Sequence, residues 1–176
     1  MADASLRFVI DADHWQFYVQ DREMYNAWIR AHAMDPEWAP AGWTDDAVQI
    51  HRIGVEPHSI SVGTARDDSV ESLIEVYGSA PTLNPAAEHI VEVDLDVPNG
   101  ELAMSSPGVD PAEGPTLAVP AGLLRARVSY VPSGPPPTGA TNSGPGDHFL
   151  YRIDVWPADA AGGLVIAKQG PTPWAG

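Results

Sequence analysis

His89-Ile90-Val91-Glu92-Val93-Asp94-Leu95-Asp96-Val97 alternates strictly from Val91 onward, with valine and leucine on one side and acids on the other. A period of two is the signature of a strand with one buried and one wet face, and wet faces belong to antiparallel sheets rather than to doubly covered parallel ones. The same alternation recurs along the chain. It marks residues 15–20 (Trp15, Phe17 and Val19 on one face), 58–64, 69–78, 123–131 and 148–156, with weaker instances at 6–10, 47–53, 101–105, 116–119 and 163–168. Turn residues separate these runs at intervals of roughly ten, the spacing of a sandwich or barrel. The expected architecture is therefore an all-β, two-sheet antiparallel β-sandwich, jelly-roll-like, spanning residues 1–176 as a single domain. Hairpin-like spacing suggests pairing of 58–64 with 69–78 and of 89–97 with 101–105, the latter across Pro98-Asn99-Gly100, whose Asn-Gly step supplies the positive φ of a tight turn.

Two segments depart from the strand pattern. Residues 21–34 place Met24, Tyr25, Trp28, Ile29 and His32 at helical spacing, with Asp21 available as N-cap and Pro36 beyond the end. This predicts one short amphipathic helix lying across an end of the sandwich. Residues 132–146 are rich in Gly and Pro and carry no apolar anchor, so a flexible loop is expected there, with a smaller one at 107–115.

The 176 residues hold 9 Lys and Arg, 24 Asp and Glu and no Cys, a net charge of −15. Phosphate binding relies on Lys and Arg displacing counterions, so the balance argues against direct contact with nucleic acid or anionic membrane. Without cysteine there is no disulfide framework, no thiolate catalysis and no cysteine-ligated metal. No signal-like n-region and no membrane-length apolar run appears, which makes the cytoplasm the expected location. No G-x-S-x-G elbow, Walker loop, G-x-G-x-x-G or H-E-x-x-H motif occurs, and no cofactor is expected.

Three features remain as candidates for function. The first is the acids, grouped as Asp45 and Asp46, as Asp67 and Asp68, and as Glu92, Asp94 and Asp96. The last three recur every second residue, roughly 6.8 Å apart at ~3.4 Å per residue, near the spacing of neighbouring phosphates. They fit either a surface that competes for a basic cleft on another protein or a merely solubilising face. The second is Trp38 and Trp43, which with Trp28 either clamp the helix or anchor a partner. Trp15 and Trp156 read as core. The third is His14, His51, His58 and His148, weak candidates for a metal site because sandwich metal sites gather residues distant in sequence.

The run His14-Trp15-Gln16-Phe17-Tyr18-Val19, the box Gly42-Trp43-Thr44-Asp45-Asp46-Ala47 and the strands at 59–64 and 69–77 resemble the competence protein J family. Residues 91–97, 100–105 and Val119-Pro120-Ala121-Gly122 follow in a similar order, so the resemblance covers about two thirds of the chain. The helix at 21–34 and the loop at 132–146 are insertions relative to it. The resemblance implies a small intracellular β-sandwich whose named member inhibits a nuclease of DNA uptake. The expected function is thus a non-enzymatic acidic sandwich that binds and inhibits a basic partner protein, foremost a nuclease. The alternative is a metal-binding, carbohydrate-binding or small-molecule-binding sandwich, including a metal-dependent enzyme.

Overall fold

The computed structural model describes residues 1–33, 35, 42–109, 112–133 and 149–170. Trp38, His148, Met34 and nearly all of the 132–146 loop lie outside the described residues. Eleven strands and one α-helix are formed: β1 (Ala4–Asp11), β2 (Gln16–Gln20), α1 (Arg22–His32), β3 (Ile53–Glu56), β4 (Ser59–Gly63), β5 (Ser69–Val76), β6 (His89–Val97), β7 (Glu101–Ser105), β8 (Thr116–Ala118), β9 (Gly122–Pro132), β10 (Phe149–Pro157) and β11 (Val165–Lys168). They make an all-β fold of two sheets, ordered β1-β5-β10-β9-β6-β11 and β3-β4-β2-β7-β8.

Alternation places Val91, Val93, Leu95 and Val97 of β6, Leu124, Ala126, Val128 and Tyr130 of β9, and Tyr151, Ile153 and Val155 of β10 in one hydrophobic core. Phe17, Val19, Ile60, Val62, Leu102 and Met104 of the smaller sheet close it from the other side. Edge-to-face contacts of Phe17 with Phe8 at 6.3 Å and with Tyr151 at 6.0 Å join the two layers.

Several expectations are corrected. Pairing is antiparallel except between β5 and β10, which run parallel with Ile74 opposite Ile153; a period of two carries no information on strand direction. The hairpin-like spacings do not make hairpins. β4 and β5 lie in different sheets, as do β6 and β7. Gly100 does adopt the expected positive φ of 68°, and its amide closes a turn onto Val97 at 3.1 Å. That turn arches over the edge of the core from one sheet to the other, which a three-residue connection can do across the ~10 Å between packed sheets.

Residues 47–51 are not a strand either. Ala47–His51 forms a wide helical turn, because Thr44 caps it through its hydroxyl to the Ala47 amide at 3.1 Å and its carbonyl to Val48 at 3.0 Å. Only Ile53–Glu56 continues as a strand, after Arg52 reverses the chain at φ 61°.

The helix is where the spacing places it, with Asp21 accepting from the Met24 amide. Its N-cap is tied to the β6–β7 arch, where the Asn99 amide donates to Asp21 at 3.0 Å. Tyr25 donates at 2.6 Å to Glu56, which points outward from β3, and outward-facing Gln20, Ser59 and Ser61 are buried. Its Tyr25, Trp28 and His32 rings stack along one side, and no helix residue is fully buried. Among the described residues no helix is long and apolar enough to cross a membrane.

The last strand is held at the edge of β6 by a buried histidine. The His89 Nε2 lies 3.0 Å from the His51 carbonyl, while Nδ1 accepts from the Gly170 amide at 3.3 Å. The neutral Nε2–H tautomer satisfies both contacts, and burial lowers the pKa from 6.5 to about 4. The unfolded chain takes up a proton on this ring between pH 6.5 and 4 and the folded chain does not, so stability present above pH 6.5 is lost as pH falls through that window. Urea unfolding at pH 7 and pH 4.5 should show the parent losing roughly 2 kcal/mol more than His89→Gln over that interval.

Candidate functional site

At the end of the five-stranded sheet where β2 begins and β4 ends, a cleft of about 370 Å³ opens to solvent. His14, Trp15, Gln16, Trp43, Val48 and the Gly63–Thr64 pair line it. Each lining segment is positioned by a core contact. Tyr130 and Tyr151, opposite one another on β9 and β10, send their hydroxyls across the sandwich. Tyr130 donates to the Arg52 carbonyl at 2.6 Å, and Tyr151 accepts from the Ala65 amide at 2.9 Å. The Arg52 carbonyl also accepts from Gly63 at 2.9 Å, and the Thr64 amide donates to the Trp15 carbonyl at 2.8 Å. The floor of the cleft is thus fixed to both sheets.

Gly63 is required by this arrangement. A Cβ there would sit 2.8 Å from the Arg52 carbonyl oxygen and 3.0 Å from the Trp43 ring. The segment bearing Trp43 crosses the sheet just as closely, with the Gly42 carbonyl 2.8 Å from where a Gly54 Cβ would stand. The indole of Trp43 donates to the Gln16 side chain at 2.6 Å, which orients one wall.

Trp15 forms the other wall. It is not core, as its phase with Phe17 and Val19 suggested, but is 53% exposed. His14 and Trp15 both occupy the left-handed region, at φ 56° and 54°. That turn breaks the alternation one residue before β2 and rotates the indole out of the sandwich. Bulky L-residues seldom adopt this conformation, at a cost on the order of 1–2 kcal/mol each. Trp15 was the residue the sequence pattern missed, since a period-two reading contains no signal for a left-handed pair. Exposed Val48 and Ile50 on the wide turn add apolar surface.

The acids divide into two kinds. Glu92 and Asp94 do not form a free row. Arg127 binds Glu92 at 2.8 Å, Arg125 binds Asp94 at 2.9 Å, and the Asp94 carboxylate also accepts from the Gly162 and Gly163 amides. Those hydrogen bonds and Arg125 hold its pKa below the usual value despite the opposing effect of desolvation. Asp96 lies at the far end of β6, 3.5 Å from His58. Asp45 and Asp46 instead open the turn after Trp43, and Asp67 and Asp68 follow the Gly63–Thr64 floor, with Arg66 bound to Asp68 at 2.6 Å. The Asp68 carbonyl also fixes the Ala12 amide at 3.0 Å, so Asp11 and Asp13 join the same end.

Of the candidate histidines, the three described, His14, His51 and His58, do not converge. His14 is exposed at the cleft, and His51 closes the wide turn and contributes its carbonyl to His89. His58 stands at the β3–β4 turn, a full strand length from His14. Among the described residues no group of three or more His, Cys, Asp or Glu is placed to hold a metal ion.

Because Trp15 occupies a left-handed conformation while mostly exposed, Trp15→Asn, a residue that tolerates that region, should leave the unfolding free energy equal to the parent's or raise it by up to about 1 kcal/mol. Trp15→Val should lower it. Denaturant unfolding of the two variants distinguishes strain from burial at this position.

No protein-family model matches the chain, and no curated protein matches it. Two solved structures are similar to it in fold. One is ComJ of Bacillus subtilis, an inhibitor of the DNA degrading activity of NucA, with a TM-score of 0.59 and 18% identity over 90% of this chain and 99% of that one. The other is the protein of crocagin biosynthetic gene J, with a TM-score of 0.51 and 17% identity over 89% and 99%. Identities this low establish likeness of fold, and the chain accordingly has a ComJ-like fold.

Proposed function

We propose that this chain is a non-enzymatic inhibitor that binds a nuclease through the end of the sandwich carrying Trp15 and Trp43. The observation that carries the reading is the pair of exposed indoles, one in a strained backbone conformation, set among Asp11, Asp13, Asp45, Asp46, Asp67 and Asp68. Tryptophan is enriched among the residues that anchor protein interfaces. A nuclease must hold a polyanion, so its cleft is cationic. Acids around the indoles would steer such a cleft onto this end, and the sandwich would then occlude it. Likeness to ComJ in fold supports the same partner class. The reading omits Glu92 and Asp94, whose charges are already met by arginines, and Asp96, which faces away.

The test is depletion of DNA-degrading activity from an extract of the source cells over the immobilised chain at low salt. The activity should be retained, return on elution at about 0.5 M salt where screening shortens the Debye length to a few Å, and fall when free chain is added stoichiometrically. Replacing both tryptophans (Trp15→Asn with Trp43→Ala) should weaken inhibition at least about tenfold. An extract whose nuclease activity passes through undiminished, and is unaffected by free chain, overturns the proposal.

A further inference from the structure

We infer that the Trp15–Trp43 cleft receives one cationic side chain, an arginine or lysine, from the partner. This rests on the reading of the cleft as the partner-binding site and specifies the chemistry of its occupant.

The cleft is walled by two indoles, and Trp43 gives its N–H to Gln16, itself a lining residue. Around the two rings the lining adds the apolar Val48, the Gly63 backbone and the polar side chains of His14, Gln16 and Thr64. A π face attracts a cation through the ring quadrupole, and tryptophan does so most strongly. The surroundings select for the same sign. Asp13 precedes His14 and Trp15 by one and two positions, Asp45 and Asp46 each lie two positions from a lining residue, and Asp67 lies three beyond Thr64. Asp45, Asp46 and Asp67 form no ion pair among the described residues, and Arg66 is held by Asp68. The chain itself uses the device elsewhere, with the Arg127 guanidinium 4.9 Å from the centre of the Trp156 ring.

Charge disfavours the competing occupants. A second copy would bring the same acidic rim against itself at −15 per chain, and a nucleic acid would bring phosphates. At about 370 Å³ the cleft is at the small end of the usual ligand-pocket range of roughly 300–1,000 Å³, suited to one long side chain.

The experiment follows the indole N–H signals of the isolated, isotope-labelled chain during titration with acetyl-Gly-Gly-Arg-Gly-Gly-amide. A matched peptide carrying neutral citrulline and a neutral maltooligosaccharide serve as comparisons. The expected result is a saturable shift of the Trp15 and Trp43 signals, at least about tenfold tighter for arginine than for citrulline. The affinity should weaken with salt, fall severalfold in Asp45→Asn with Asp46→Asn and Asp67→Asn, and disappear in Trp15→Asn. Equal shifts by arginine and citrulline, binding of the sugar in preference to the peptide, or no shift at about 10 mM peptide overturns the inference. Nuclease inhibition is read separately. If inhibition stands and the peptide fails, only the cation site falls; if the peptide binds and inhibition fails, the cleft keeps its ligand class and loses its proposed partner.

Discussion

The Arg52 carbonyl accepts one hydrogen bond from each sheet, from Tyr130 of β9 and from Gly63 of β4. Around this shared acceptor the cleft end of the molecule is organised. Tyr130 is wholly buried among His89, Phe149 and Tyr151, and burial holds its phenol protonated well above the usual range, so the donor is always available. The bond fixes the reversal after the wide turn, and the reversal fixes β3 and the Gly63 floor. Its neighbour Tyr151 does the same for the Ala65 amide. A buried hydrogen bond contributes only about 1 kcal/mol net; losing the Tyr151 hydroxyl would leave the part-buried Ala65 amide without this partner, while the Arg52 carbonyl would keep its bond from Gly63. The rigidity that presents Trp15 and Trp43 therefore originates in the opposite sheet.

The second organising fact is the allocation of few cations among many acids. On the outer face of the six-stranded sheet Arg7 meets Glu71, Arg152 meets Glu75 and Asp154, and Arg125 and Arg127 meet Glu92 and Asp94. All but the Arg152–Asp154 pair, which lies within β10, join neighbouring strands; the exposed Arg7 pair adds little, while those around Asp154 and Asp94 are shielded enough to matter. Four of the nine basic residues are absorbed there. Excess negative charge consequently accumulates elsewhere, and the cleft end holds six aspartates. The net charge of −15 is therefore unevenly met, compensated on that sheet face and less so at the cleft end, where Arg66 pairs with Asp68.

Much of this was legible in one dimension. Period-two alternation located nearly every strand, because each has one buried face, and the Asp21 cap with its helical spacing located α1. The Gly42–Ala47 box was visible as a unit, and the structure explains it: Gly42, where a Cβ would stand 3.0 Å from the Glu56 side chain, Thr44 as cap, and Ala47 buried beneath the turn. The failures share one cause. Strand partners, the parallel β5–β10 pair and the sheet-to-sheet arches after β4 and β6 depend on where chain ends meet in space, to which local alternation is indifferent. Residues 47–51 alternated like a strand but were claimed by a capped turn.

By itself the sequence determined the secondary structure, the two-layer class and the sign of the field, since periodicity, capping and charge are local quantities. Tertiary structure alone decided which acids stay unpaired and which tryptophans face water. Arg125 and Arg127 reach Glu92 and Asp94 only because β9 pairs with β6 in that register. Trp15 leaves the core only because two consecutive left-handed residues, held by the Thr64 amide, turn it outward. Both outcomes are set by contacts between residues dozens of positions apart, and those contacts exist only once the sandwich has closed.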